Sequence, residues 1–179
     1  MTKCKKCGKE TDKKEYNYCK KCYADPNIVK DSSIKGRLAE AIVEEMFLSM
    51  DYRVFRFGME NTIPGFGDRS FPLKGNVDSQ VRKMPDFIVV KDKEISYIEV
   101  KYRTDGIFDF KEEYTKKGKY PYPDAYFILI TPKHIKIQKA LELEKGKEFI
   151  YLDDCNDFET DKEIILQYRE FCKKFFGKC

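Results

Sequence analysis

Tryptophan is absent from this chain, and histidine occurs once, as His134. That lone imidazole, two residues after Pro132, reads as a surface group rather than a general base. No apolar run approaches the roughly 18 residues of a membrane span. The N-terminal stretch is lysine-rich without an apolar region, so no secretory signal is expected. There is no Walker-type phosphate loop and no GxSxG elbow, which sets aside those two routes to phosphate and acyl chemistry. Internal repeats and low-complexity tracts are also missing. A large excess of one charge is lacking: 35 Lys and Arg face 31 Asp and Glu, for a net +4. Any nucleic-acid footprint must therefore be a local patch.

What is present is a chain of 179 residues, 41% apolar and 37% charged. The apolar share permits a real core, and the charged share exceeds the ordinary value of about 25%. The length fits one domain plus a small module. Lysine and glutamate are abundant, which, with tryptophan absent, leans toward a heat-adapted source.

Seven cysteines are too irregular for a disulfide framework. Cys4 and Cys7, then Cys19 and Cys22, form two CxxC pairs 11 residues apart. Each pair can supply two thiolates to one tetrahedral ion, and Gly8 permits the tight turn beside the first. Four cysteines also suit an iron–sulfur cluster, but paired CxxC knuckles are the usual form of a zinc site. Residues 1–30 are thus expected to form a zinc-ribbon-like module and linker, folded by Zn²⁺ because so short a segment cannot build a core. Cys155, Cys172 and Cys179 have no ligand spacing and read as structural or exposed thiols. Thiols kept for metal point to a reducing compartment, and a cytoplasmic location is expected.

The informative stretch runs from Met84 to Tyr102. Phe87–Val90 is apolar and β-branched, and Ile95–Tyr102 alternates apolar and polar, so two strands are expected around an Asp92-Lys93 turn. That turn pairs Lys91 with Glu94 and, counting back, sets Asp86 opposite Glu99, about 5 Å apart on one face. Lys101 shares that face. Two carboxylates and an ammonium together can hold Mg²⁺ and steady charge on a phosphoryl group. The alternative is an exposed hairpin with a cross-strand salt-bridge cluster. The spacing acidic-x-Lys also occurs at Asp12 and Asp109, without the alternating strand.

Around this hairpin a helix is expected over about Ile34–Met50, capped by Ser32 or Ser33, with an apolar stripe of Ile34, Leu38, Ala41, Ile42, Met46 and Phe47. Glu40 and Glu44 share another face, and Gly36 suggests close approach of a second backbone. A strand is expected at Tyr52–Phe57, then a long irregular connection over 58–81. A helix is expected near Phe108–Lys117, strands at Ala125–Thr131, Ile135–Ile137 and Phe149–Leu152, and an amphipathic helix at Asp161–Phe176 with Ile164, Ile165, Tyr168, Phe171, Phe175 and Phe176 apolar. If the hairpin ladder continues past Asp86, Lys83 faces Tyr102 and Arg82 faces Arg103. Opposed arginines destabilise a sheet, so Arg82, Lys83, Tyr102 and Arg103 are candidates to hold an anionic nucleic acid. The competing possibility is that pairing has ended and both arginines splay into solvent.

The order helix–strand–strand–strand–helix–strand, with these residues in place, resembles the PD-(D/E)xK nuclease superfamily. The residues carrying the likeness are Gly36-Arg37-Leu38-Ala39-Glu40, Pro85-Asp86 and Glu99-Val100-Lys101, and it covers about residues 33–152. The subgroup it looks most like is small archaeal-type resolvases or restriction-like nucleases. The resemblance implies an α/β fold with a restriction-endonuclease-like core of αβββαβ order over 31–179: a mixed central sheet flanked by helices. It implies Asp86 and Glu99 as ligands of Mg²⁺ or Mn²⁺, Lys101 as the catalytic lysine and Glu40 as an additional carboxylate, with Glu44 one turn away. It implies a metal-dependent endonuclease, acting on DNA in preference to RNA, including structured or branched DNA, and it allows a homodimer. An N-terminal zinc module is not typical of the resolvases, so junction specificity is not carried over. Two alternatives stand beside it: a catalytically silent nucleic-acid-binding protein of the same fold, and a zinc-ribbon protein-interaction module.

Overall fold

In the computed structural model the described residues are 3–5, 7–11, 31–57, 83–115 and 119–177. The chain divides into two compact units, Met1–Ile34 and Lys35–Cys179. The second is an α/β structure built on a six-stranded open sheet. Helix α1 (Asp31–Ser49) leads into β1 (Arg53–Arg56), β2 (Phe87–Lys91) and β3 (Glu94–Tyr102). A π-helical turn (Lys111–Thr115) precedes β4 (Tyr126–Ile130) and β5 (Ile135–Lys139). Then come α2 (Ala140–Glu144), β6 (Ile150–Tyr151), a 3₁₀ turn (Leu152–Asp154) and α3 (Lys162–Phe176). The strands lie side by side in chain order. Among the described strands only β3 and β4 pair in parallel, so the sheet is mixed.

Period-two alternation divides the sheet into two faces. Phe87, Val89, Ile98, Val100, Ile128, Ile130, Ile135 and Ile137 point into one core, with α1 and α3 packed over them through Val43, Met46, Phe47, Ile165, Cys172 and Phe176. Fully buried Phe47 and Phe87 each contribute roughly 1.5–3 kcal/mol by leaving water. The alternate positions face the other way. There Phe127 and Tyr97 pack with Phe108, Phe110, Tyr114, Tyr120 and Tyr122 from the connection between β3 and β4. A parallel pair cannot be joined by a tight turn, so this connection must cross over the sheet. It covers the face that carries Glu99 and Lys101.

The hairpin forms in the expected register, Lys91 with Glu94. Asp92 and Lys93 take left-handed φ of 48° and 74°, as a two-residue turn with this twist demands. The ladder stops at Phe87 and Ile98, so Asp86 lies one residue beyond it, in a bend. Pairing therefore does not run on to set Lys83 against Tyr102, and Arg82 lies outside the described residues. Helix α1 already includes Ser32 and Ser33, which are thus not its caps. Its buried positions are Ala39, Ile42, Val43, Met46 and Phe47, whereas Ile34 is exposed. The stripe is rotated from the expected one because spacing alone does not say which of several apolar residues meets the sheet. Among the described residues nothing lies within 4 Å of where a Gly36 side chain would begin, so no backbone approaches it closely.

Only the π-helical turn appears where a helix near Phe108–Lys117 was expected, and residues 116–118 lie outside the described part. The 58–81 connection and Cys179 lie outside it too. Helix α3 matches its expected span. Asp161 caps it by accepting from the Glu163 and Ile164 amides at 2.8 and 3.1 Å. Phe171 and Phe175, expected in its apolar stripe, are exposed and stacked on each other. His134 is half-buried and edge-on to Tyr151, and its Nδ1 has no hydrogen-bond partner among the described residues. Among the described residues no helix is long and apolar enough to cross a membrane.

Candidate active site

The hairpin brings Asp86, Glu99 and Lys101 to one buried place. Asp86 and Glu99 are 8% and 5% exposed, unusual for charged side chains. Asp86 is held from two sides of its bend. Its carbonyl accepts from the Phe57 amide at 2.8 Å, and its Oδ2 accepts from the Val100 amide at 2.7 Å. The carboxylate thus takes an amide that the ladder, ending at Phe87, no longer uses. Glu99 and Lys101 follow from alternation in β3, on the face opposite Ile98 and Val100.

Burial first, and then the negative charge of Glu99, push the Asp86 carboxyl well above the ordinary aspartate value. Lys101 and the Val100 amide act in the opposite sense, and the charge of Glu40 adds to the rise. Burial alone would depress the Lys101 ammonium. The carboxylate of Glu99, with Tyr114 and Asp86, outweighs this and holds it well above the ordinary lysine value. Lys101 Nζ lies 2.6 Å from Glu99 Oε1 and 5.5 Å from the Tyr114 ring centre. The Tyr114 hydroxyl also donates to Oε1, at 2.6 Å. Glu99 Oε2 is buried with no hydrogen-bond partner among the described residues.

On α1, Glu44 is ion-paired with Arg56. The charge of Glu40 acts on both Arg56 and Asp86. Of the two glutamates singled out on that helix, Glu44 is engaged by Arg56, and Glu40 is among the charges acting on Asp86. Among the described residues no group of three or more His, Cys, Asp or Glu is arranged to hold a metal ion. The carboxylates that could do so here are Asp86 and Glu99, with Glu40 nearby on α1.

Three of the four residues expected to hold nucleic acid, Lys83, Tyr102 and Arg103, have partners within the protein, and Arg82 lies outside the described residues. Lys83 donates to the Tyr114 carbonyl at 2.9 Å. The Arg103 guanidinium pairs with Glu113 and donates to the Tyr102 carbonyl at 2.9 Å. Tyr102 belongs to the other face, its ring 4.4 Å from that of Phe176. Two of the four thus tie down the π-helical turn, and one packs in the α3 layer. On the site's own face, a cavity of about 480 Å³ is lined by Phe108, Phe110, Leu129, Phe149, Lys111 and Lys136, among others. Leu129 lies between Lys101 and Lys136 in the sheet, so the cavity adjoins the site across one strand.

Tyr114 is the site residue that sequence reasoning passed over. Its only signal was the tyrosine-rich composition of the crossover, which carries no period. In the N-terminal unit, Cys4 is buried and opens a tight turn. The Gly8 amide donates to the Cys4 carbonyl at 2.9 Å, the Cys4 amide to the Lys9 carbonyl at 2.7 Å, and Gly8 has φ of 72°. Cys7 lies in the same turn, and Cys19 and Cys22 lie outside the described residues. No protein-family model matches the chain, and a search of curated proteins finds no match.

Proposed function

We propose that this chain is a metal-dependent endonuclease that hydrolyses phosphodiester bonds in nucleic acid, DNA in preference to RNA. The observation that carries this is the buried Asp86–Glu99 pair with Lys101 fixed against it. Such a pair raises the energy of a metal-free fold, because like charges out of water repel. It is intelligible if a cation completes it. The residues fit Mg²⁺ or Mn²⁺: hard carboxylate oxygens, one of them, Glu99 Oε2, buried and unpartnered. Asp86 and Glu99 would hold the ion, with Glu40 adding negative field from α1. When bound, the ion supplies Lewis acidity to the phosphodiester and acidifies a water.

The chain's own groups do the rest. Lys101 is anchored to Glu99 yet about a quarter exposed, so its remaining N–H bonds can hold a phosphate oxygen or orient a water. The crossover shields Glu99 from bulk water, which strengthens each of these interactions. The adjoining cavity, with phenylalanine rings and lysines in its wall, suits a base and its phosphate beside the reacting bond. By the same reasoning Cys4, Cys7, Cys19 and Cys22 hold one Zn²⁺, the turn at Cys4–Gly8 being compatible with two thiolates on one ion.

The test is cleavage of single-stranded, duplex, flap and four-way-junction DNA, with and without Mg²⁺ or Mn²⁺. Asp86→Asn and Glu99→Gln should each lose metal-dependent cleavage while remaining folded. Cleavage by either variant at the wild-type rate would falsify the assignment. Binding without cleavage by the wild type would instead mark a silent binding protein of this fold.

A further inference from the structure

The two oxygens of Glu99 have unlike surroundings. Oε1 receives both the Tyr114 hydroxyl and the Lys101 ammonium, each at 2.6 Å, while Oε2 receives no hydrogen bond from the described residues. A carboxylate can accept about four hydrogen bonds, so this crowding on one oxygen is not forced by numbers. A hydroxyl-to-carboxylate distance of this size marks a charge-assisted bond, about twice as strong as a neutral one. Together the two donors stop the carboxylate from rotating about its last bond.

Tyr114 is itself held closely. Its ring stacks on Phe110 at an interplanar angle of 11° and meets Tyr120 and Phe127 edge-on at 5.1 and 5.0 Å. Its carbonyl is bonded by Lys83, and the neighbouring Glu113 is paired with Arg103. It stands in a π-helical turn, a rare form that recurs at functional sites because the extra residue re-aims side chains. Tyr120 provides a contrast. It shares the aromatic cluster, but its hydroxyl is buried without a hydrogen-bond partner among the described residues.

We propose that Tyr114 is a positioning residue: by holding Oε1 with Lys101, it leaves Oε2 as the oxygen that Glu99 offers to a divalent cation. The inference rests on the metal-site reading above. Groups that orient metal-ligating side chains typically matter about 10- to 100-fold in metal affinity.

The experiment is direct Mn²⁺ binding to the full chain, read from the resonance signal of free Mn²⁺ and independent of cleavage. Tyr114→Phe keeps the ring and should weaken Mn²⁺ binding about 10- to 100-fold. Tyr120→Phe, the packing control, should stay within about twofold of wild type. Glu99→Gln should lose the site. In a Glu99→Asp background, whose shorter carboxylate lies out of reach of the hydroxyl, Tyr114→Phe should add less than about twofold. If Glu99→Gln loses Mn²⁺ but Tyr114→Phe binds like wild type, the positioning role is overturned and the metal site stands. An undiminished Tyr114→Phe effect in the Glu99→Asp background overturns it equally. Wild type without Mn²⁺ affinity overturns both.

Discussion

At Asp86 the cost of the site is visible in one ionisation. Its carboxyl is pushed up by burial and by Glu99, so the native chain keeps a proton that the unfolded chain has already released. Stability from this group is therefore fully present below the ordinary aspartate value and is lost as pH rises through the raised one. Lys101 behaves likewise at the alkaline end, losing its contribution only as pH rises through a value above that of ordinary lysine. Asp86→Asn removes the first dependence while leaving an oxygen for the Val100 amide. In metal-free buffer the variant should gain on wild type as pH climbs from the ordinary aspartate value through the raised one. Above the raised value it should be ahead by about 0.5–2 kcal/mol, the size of an ordinary stabilising substitution. Denaturant unfolding of both proteins across that range measures it, and a pH-independent difference would exclude Asp86 as the source.

Individual residues also show what their sequence could tell. Asp86, Glu99 and Lys101 were readable because a two-residue turn and strict alternation determine faces without any knowledge of the rest of the chain. Tyr114 was not, since it reaches Glu99 through a crossover whose path depends on aromatic packing. Lys83 and Arg103 were read as phosphate ligands on a ladder that the structure ends at Phe87. Their observed partners, a carbonyl and a glutamate on the π-helical turn, have no local sequence signature.

Among elements, the hairpin is the one most completely foretold, and its turn is its least comfortable part. Both central residues are left-handed without being glycine. That conformation costs an L-residue roughly 1–2 kcal/mol. Lys93 is exposed, so Lys93→Gly should stabilise the chain by about 0.5–1 kcal/mol after the added freedom of the unfolded state is subtracted. A rise of about 2–4 °C per kcal/mol in the thermal midpoint is the corresponding shift. A fall would mean the lysine side chain contributes something its position does not reveal. Helix α1 was foretold less well. Its existence follows from period, but which apolar residues face inward was decided by the sheet. Helix α2, five residues long, has too few turns for any period to appear.

For the molecule as a whole, the division at Ile34 and Lys35 has an energetic basis. The sheet unit owns two hydrophobic clusters, both drawn from residues beyond position 34. Deletion of residues 1–30 should leave it folded, with its unfolding midpoint within about 4 °C of the full chain, equivalent to roughly 1 kcal/mol. The full chain should carry one zinc by elemental analysis and the truncated chain none. Zinc retained after deletion, or iron in the full chain, would overturn the four-cysteine site. The α/β character and the six-stranded sheet were foreseeable from alternating strand and helix patterns. The parallel pairing of β3 with β4 was not, because no short-range signal specifies which strand a crossover returns to.

That pairing gives the two sides of β3 different histories to come. Toward β2, a two-residue turn admits no change in length without shifting Asp86 against Glu99. Toward β4, the crossover contributes side chains but no rungs to the ladder. Insertions and deletions there leave the register of Glu99 and Lys101 untouched. The spacing of Asp86, Glu99 and Lys101 is thus tied to the invariant side of the strand, and the cavity wall and the Tyr114 contact to the side whose length can change. Descendants of this chain can drift in the cavity wall while inheriting the register of Glu99 and Lys101 unaltered.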